Sequence, residues 1–462
     1  MSEKEPYMQL KRNTLIIAIG NLGSKAIAFI LAPLYSFYLS TSQYGTMDLI
    51  TTTANLLMPF FCLDIYEATF RYSNDKEYDE NKILSSSLFA CLPGLFIAVF
   101  VLIGACILNK YPTLVAYTTA FIILSALISI FSQYARGKKD MKVFASTGVI
   151  NSIGLLLLNV VFLVLLKLEL QGWLISFLVS QLITVGYLVL RCGVLKKVSI
   201  RYIDKEYLRV FFRFCAPLIP TAAMWWVMNA SDRYMIAIFI GASANGIYAV
   251  ANKLPTILSV FENVFYQAWQ TTAISTMEDE NRDKIYSDIF NQYLRFLSVG
   301  VIGLLFIGKP LIFGLFASDY SDAWKCLAPL ILGVLFHALA SNLGTLYSVF
   351  KDTNGALYSS AIGAGTNIIL NLICIPVWGI IGAAITTLIG YIATLGFRWF
   401  NVKKLVNLKL EYIEVLLYVT LVGVQFVLYY INHPISYLIR CGIFVCVVIR
   451  NKRLILKLVE RK

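Results

Sequence analysis

The sequence predicts an all-α polytopic membrane protein of about fourteen transmembrane helices, and three observations carry that prediction. Of its 462 residues, 58% are hydrophobic and 14% charged, with a mean hydropathy of +0.73. Soluble domains carry about 25% charged residues, so a chain of this size can hide so much apolar surface only in lipid. Apolar runs such as 148–166, 298–306 and 414–431 recur along the whole length, and about 20 apolar residues suffice for one helical crossing. Basic residues, finally, concentrate in alternate connecting segments.

The first span, 14–39, follows a polar stretch that carries Glu3, Glu5 and Pro6 and has no small-residue cleavage site. It reads as a retained span and not as a signal peptide. A turn at 40–45 leads to the second, 46–70, an apolar segment striped by Asp48, Asp64, Glu67 and Arg71. Spans at 84–108 and 113–135 flank a short loop with Lys110, and those at 143–166 and 173–191 flank Lys167. The widest polar segment follows, at 191–213. Its Lys196-Lys197 and Arg201-Tyr202-Ile203-Asp204-Lys205-Glu206 suggest an amphipathic cytoplasmic connector. Six further spans come next, at 212–240, 246–273, 291–316, 325–349, 356–377 and 379–398. A final pair at 412–431 and 435–450 is the shortest. The domain reading is an N-terminal six-helix bundle at 1–190, a connector at 191–211, a second bundle at 212–398, and two extra helices with a basic tail at 399–462.

Lys and Arg in short loops are retained in the cytoplasm. One set of alternate segments holds 31 of the 39 basic residues and the opposite set holds 4, namely Lys110, Lys167, Lys309 and Lys325. Lys25, Arg233, Lys253 and Arg440 remain inside spans. Both termini are therefore expected in the cytoplasm. The net charge of +13 becomes a topology signal, with attraction to anionic headgroups added, and a nucleic-acid partner drops out. Nine cysteines lack paired C-x-x-C spacing and read as small core or lipid-facing residues.

The halves resemble each other. Placing Gly45 on Gly246 aligns Ser40-Thr41-Ser42-Gln43-Tyr44-Gly45 with Gly241-Ala242-Ser243-Ala244-Asn245-Gly246, and placing Asn159 on Asn371 brings Gly172 close to Gly382. Both halves have an even span number, so the repeats are expected to be parallel and to enclose a central cavity.

Charges inside the spans are the leading functional clue, because an ionisable side chain in hydrocarbon is costly and seeks water, a partner or a ligand. Lys25 lies about 12 residues into the first span, near mid-bilayer at about 1.5 Å per residue and beyond snorkelling reach. Left unpaired there it costs roughly 3 kcal/mol or more. Neither Lys25 nor Lys253 has a carboxylate within one helical turn, and both are candidates to line an anion-binding cavity. Arg233 joins them, with pairing to Asp232 or a neighbouring helix as the alternative. Asn21 shares a helix face with Ser24 and Lys25, and Asn229 leads toward Asp232 and Arg233 in the same way. Asp48, Asp64, Asp232 and Glu262 are candidates for gating or ion coupling. So are Glu67 and Arg71, which at i and i+4 equally fit a local salt bridge.

Neutral residues fill in the picture. Gly20, Gly23, Gly363, Gly365 and Gly382 suit close helix packing. Pro33, Pro59, Pro217, Pro220 and Pro255 interrupt spans as kinks or hinges. Trp225, Trp226, Trp269, Tyr266 and Tyr248 offer rings for sugar stacking, although packing is the commoner use of such rings. The two histidines, His337 and His433, have no metal-ligand company in the sequence, and no nucleophile motif or phosphate loop appears.

Taken in order, Asn21-Leu22-Gly23-Ser24-Lys25, Pro33-Leu34-Tyr35, Leu39 to Gly45, Pro217-Leu218-Ile219-Pro220, Asn229, Ser231-Asp232-Arg233-Tyr234, Gly246-Ile247-Tyr248, Asn367, Asn371, Pro376, Gly379 and Gly382-Ala383-Ala384 form a pattern. It resembles bacterial polysaccharide-biosynthesis flippases of the multidrug/oligosaccharidyl-lipid/polysaccharide exporter superfamily, over essentially the whole chain. The resemblance implies two six-helix bundles in a V, as in the superfamily's multidrug exporters, plus two C-terminal helices. It also implies translocation, without cofactor or metal, of an undecaprenyl-diphosphate-linked oligosaccharide repeat unit for O-antigen, capsule or exopolysaccharide synthesis. The bacterial cytoplasmic membrane is the implied location, with a polysaccharide polymerase and chain-length proteins as further partners. Lys25, Arg233 and Lys253 would then bind pyrophosphate or acidic sugar, since lysine and arginine bind phosphate as point charge or fork. Two rivals stay open. A cation-coupled multidrug exporter calls for a carboxylate-lined cavity, and a membrane glycan polymerase or ligase calls for a large outer loop, whereas the outer loops here are short.

Overall fold

In the computed structural model, which describes residues 23–75, 77–108, 112–216, 230–350 and 352–452, all regular secondary structure is helical and no strand occurs among the described residues. Helix is found within each of the fourteen predicted spans. Eight helices among the described residues are long and apolar enough to cross a membrane, or nine with one bent pair taken as a single span. The chain divides into two compact units, Met1–Leu39 with Thr46–Trp226, and Ser40–Gly45 with Val227–Lys462.

The first unit contains α1 (23–38), most of α2 (Thr41–Phe61), α3 (Ile65–Ser73), α4 (Glu80–Ile107), α5 (Pro112–Gly137), α6 (Met141–Asn159), α7 (Glu169–Cys192), the short α8 (Val194–Lys197) and α9 (Lys205–Cys215). The predicted span 46–70 is a broken one. Pro59 has no N–H to continue the α2 ladder, Leu63 and Asp64 turn into the left-handed region at φ 53 and 52, and α3 leaves at 62°. Backbone groups freed by a break in lipid need protein partners. The Cys62 and Asp64 carbonyls accept the backbone N–H groups of Ile65 and Glu67 at 3.0 and 2.9 Å, and each takes a thiol as well, Cys91 Sγ at 3.6 Å and Cys215 Sγ at 3.3 Å. Gly94 of α4 lies so close to the Phe61 carbonyl that a Cβ would overlap it.

The basic connector is tied down by hydrogen bonds. Glu80 at the start of α4 takes Lys138 at 2.8 Å, Lys197 at 2.9 Å and the Tyr134 hydroxyl. Lys82 meets Asp204 at 2.8 Å, and the Ser85 and Ser86 hydroxyls accept from the backbone N–H groups of Ser199 and Asp204. The Lys82 ammonium, helped by the Glu206 backbone N–H, holds the Asp204 carboxyl below the usual carboxylate range. That tie is present above the ordinary carboxylate pKa and is lost as pH falls through the lowered one. Beyond α6 a π-helical turn, Val160–Leu165, leads to a reversal in which Lys167 and Glu169 take φ 52 and 49. Helix α7 then returns along α6, with Ser180 Oγ donating to Asn151 Oδ1 at 3.2 Å and the Ser146 and Tyr187 hydroxyls 2.7 Å apart.

The second unit contains α10 (230–239), α11 (Ala242–Ala251), α12 (Pro255–Ser275), α13 (Arg282–Leu315), α14 (Ala323–Val349), α15 (Thr353–Val402), α16 (Tyr412–Tyr430) and α17 (Pro434–Arg450). The predicted span 246–273 is split where Pro255 opens α12. Predicted spans 356–377 and 379–398 are the two limbs of α15, which reverses at Gly379 with φ 63. The limbs pack closely: a Cβ at Gly382 would overlap the Cys374 carbonyl, and one at Gly363 would overlap Thr394. Gly365 and Gly23, read as packing glycines, have no such neighbours. Arg398, counted among the cytoplasmic loop residues, is instead buried at the open end of this hairpin. It donates to Ser359 Oγ at 2.9 Å, the Ala340 carbonyl at 2.8 Å and Ser360 Oγ at 3.4 Å.

The internal repeat has a structural counterpart inside the second unit. A Cβ at Gly45 would overlap the Ala242 carbonyl, and one at Gly246 would overlap the Thr41 carbonyl. Thr41 and Ala242 are equivalent when Gly45 is set on Gly246, so the contact is reciprocal, as a local two-fold requires. Thr41 Oγ1 and Ser243 Oγ lie 2.5 Å apart beside it, and Asn245 Nδ2 donates to the Gly45 carbonyl at 3.0 Å.

Candidate functional site

Buried polar groups of the second unit converge on one face of the α15 hairpin. Asn367 and Asn371 on its first limb stand one turn apart, and Asn371 Nδ2 donates to Asn367 Oδ1 at 3.0 Å. From the second limb Thr386 Oγ1 donates to Asn371 Oδ1, and Thr387 Oγ1 accepts from Asn367 Nδ2 at 3.2 Å. Ser231 of α10 donates to Asn367 Oδ1 at 3.3 Å. The neighbouring Asp232, 8% exposed, accepts from the Tyr248 hydroxyl at 2.5 Å and from the Arg233 backbone N–H at 2.9 Å. Gly363, Asn367, Thr387, Gly390 and Tyr391 line a small cavity in this network, with room for about one water. The result is a carboxylate in an oxygen-rich shell, a setting able to exchange a proton or hold a small cation.

A second acid lies nearby. Glu262 of α12, 6% exposed, faces His337 of α14 at 2.8 Å from Oε1 to Nδ1, and the His337 ring packs against Tyr391 with centroids 4.8 Å apart. The sequence reading left His337 without company because its partner is 75 residues away. Only the packing of α12 on α14 joins them. A histidine inside an apolar span is itself the signal that could have found the pair.

The other predicted residues separate into groups. Lys25 is exposed on α1, and no ion pair or hydrogen bond is made by it among the described residues. Arg233 and Lys253 are half-buried in the second unit. Asn21 and Asn229 lie outside the described residues, as do Gly20, Pro217, Pro220, Trp225 and Trp226. Asp48 is buried in α2, and Asp64 is buried at the α2–α3 break with Oδ1 unpartnered among the described residues. Glu67 is half-buried and Arg71 exposed, and the local salt bridge open to them does not form. Another helix supplies the charge: Arg136 of α5, stacked on Phe70 of α3, is the cation that acts on Glu67. Two of the rings offered for sugar stacking are packed away. Tyr248 is 1% exposed, and Trp269 is buried with its indole N–H donating to the Asn342 carbonyl at 3.0 Å.

Comparison with known proteins agrees with this architecture. An uncharacterized membrane protein of Methanocaldococcus jannaschii is 23% identical over 401 residues, which cover 83% of this chain and 95% of that protein. The probable low-salt glycan biosynthesis flippase Agl15 of Haloferax volcanii is 19% identical, covering 88% and 86%. Among solved structures, the lipid II flippase MurJ in an inward closed conformation superposes with a TM-score of 0.69 at 17% identity, covering 96% of this chain and 100% of MurJ. Residues 10–270, more than half of the chain, match the family described as polysaccharide biosynthesis protein, and the chain belongs to that family.

Proposed function

We propose that this protein is a flippase that carries a polyprenyl-diphosphate-linked oligosaccharide across the cytoplasmic membrane by alternating access, with an undecaprenyl carrier in a bacterial setting. The observation that carries the reading is Lys25, an exposed lysine on an apolar helix with no partner among the described residues. Such a cation is tolerable only against water or an anion, and a diphosphate headgroup supplies two phosphates while its prenyl tail stays in lipid. Similarity to a probable glycan biosynthesis flippase and to a lipid II flippase points the same way. Arg233 and Lys253 of the second unit are further cations offered to the anionic substrate in this reading, and Asp232 and Glu262 with His337 couple the cycle to a proton or a small cation. Cytoplasmic termini follow from the positive-inside asymmetry. Cations at these positions disfavour the organic cations that a multidrug exporter moves.

Reconstitution tests the reading. Vesicles holding the full chain and a labelled polyprenyl-diphosphate oligosaccharide should show protein-dependent loss of label from one leaflet, and Lys25→Ala should slow it at least tenfold. Unchanged rates in Lys25→Ala, Arg233→Ala and Lys253→Ala together would remove the anion site, and transport of an organic cation in its place would favour the exporter.

A further inference from the structure

At the end of the second unit where α16 turns into α17, a surface groove is walled by Phe313, Ile431 and Tyr437 and headed by Lys309, His433 and Arg440. Arg440 is 3% exposed, and its Nη2 donates to the carbonyls of Leu305 and Phe306 in α13. Pro310 accounts for that bond, since it has no N–H to give the Phe306 carbonyl four residues back. The guanidinium is therefore held in place by α13. Its Nε remains a buried donor without a partner among the described residues.

The rest of the groove is equally rich in donors. Lys309 Nζ donates to Asn432 Oδ1 and lies 3.9 Å from the Trp324 ring centroid. The nearby Asp322 is taken by Lys325 at 2.8 Å, and neither Lys309 nor Arg440 has a carboxylate partner among the described residues. His433 caps α17, its Nδ1 accepting from the Ile435 N–H at 3.2 Å. A neutral ring so engaged carries its proton on Nε2, which is a third donor. Pro434 opens α17, so the positive end of a 17-residue helix lies at the same place.

Two like charges sharing an apolar groove without a counter-charge repel each other and lose hydration. Both costs fall when an anion enters, and apolar walls select an anion that carries hydrocarbon. We propose that this groove is a binding site for the phosphate headgroup of a lipid, held by Arg440 Nε, Lys309 and His433, with its chain along Phe313, Ile431 and Tyr437. Charge asymmetry assigns this end of the bundle to the outer leaflet. The site is separate from the Asp232 network, and its test reads binding alone.

Native mass spectrometry of the full-length protein, titrated with dioleoylphosphatidylglycerol, undecaprenyl diphosphate, dioleoylglycerol or inorganic phosphate, measures it directly. The double variant Lys309→Gln with His433→Asn leaves the Arg440 brace intact and keeps a helix cap. Either phosphate-bearing lipid should bind the native protein and lose at least tenfold in affinity in the double variant, with dioleoylglycerol indifferent to the change. Which lipid responds tells a glycerophospholipid from a prenyl carrier. Equal lipid affinity in the native and double-variant proteins, or inorganic phosphate binding as tightly as the lipids, would overturn the proposal.

Discussion

The α6–α7 hairpin and the hairpin formed by the two limbs of α15 stand at equivalent places in the two halves of the sequence, yet they are built on different chemistry. With Asn159 set on Asn371 and Gly172 on Gly382, Asn367 and Thr387 of the second correspond to Leu155 and Phe177 of the first. Phe177 packs between Phe121 and Trp173, with ring centroids 4.5 and 5.2 Å away. Buried Arg398 corresponds to buried Leu188. The tight turn is also equivalent, Gly172 approaching Phe162 where Gly382 approaches Cys374. Asn159, instead of pairing across its hairpin, donates to the Tyr35 hydroxyl of α1 at 3.0 Å. One backbone motif thus carries separate polar pairs in the first half, Ser180 with Asn151 and Ser146 with Tyr187, and a connected polar shell beside Asp232 in the second. A buried polar network is costly unless every member is satisfied, and the linking of four hairpin side chains beside a buried carboxylate in the second half points to use there.

Giving the second hairpin the chemistry of the first is the strongest test. Asn367→Leu with Thr387→Val should leave helix content by circular dichroism unchanged and slow flipping in vesicles tenfold or more. Full transport in that variant would break the proposed division of labour. Next comes Arg398→Leu, which copies Leu188 but strips the Ala340 carbonyl and two serines of their donor. A destabilisation of about 3 kcal/mol is expected, since each buried group left unsatisfied costs roughly 1–3 kcal/mol, and thermal unfolding in detergent reads it. Gly382→Ala should cost more than Gly172→Ala. The first Cβ overlaps a carbonyl, while the second lies 2.8 Å from one; values of about 2 and about 1 kcal/mol fit the usual range for overpacking. The effects in the turns have opposite signs. Gly379→Ala forces a side chain into the left-handed region at a cost of about 1–2 kcal/mol. Lys167→Gly, which relieves that same strain in the first hairpin, should raise the melting temperature by a few degrees.

Much of this architecture was legible in the residues. The Asn159–Asn371 and Gly45–Gly246 alignments set the hairpins and the glycines at equivalent places in the two halves, and the structure adds the reciprocal contact, because close backbone approach leaves a glycine behind at each equivalent place. Asp232 and Glu262 stood out as carboxylates in apolar segments. Tyr248 did not, since a tyrosine in a span has ordinary packing uses, and His337, although a titratable group in a span, carries no local mark of which distant carboxylate it meets. Arg398 was misread for a related reason: at the end of an apolar run an arginine inside and an arginine outside look alike. The bend at Asp64 was hidden within a continuous hydropathy signal, with Pro59 its one sequence marker.

The sequence by itself determined that the chain crosses a membrane many times, where its helices lie and which loops are basic. These properties are sums over neighbouring residues: hydrophobic transfer is additive along a segment, and a helix satisfies its own backbone. Only the tertiary structure decided which buried polar groups meet, that Arg440 braces α13 beside Pro310, and that a carbonyl at a helix break is answered by a cysteine thiol. A hydrogen bond depends on distance and angle between groups far apart in the chain, and no residue's local environment records those.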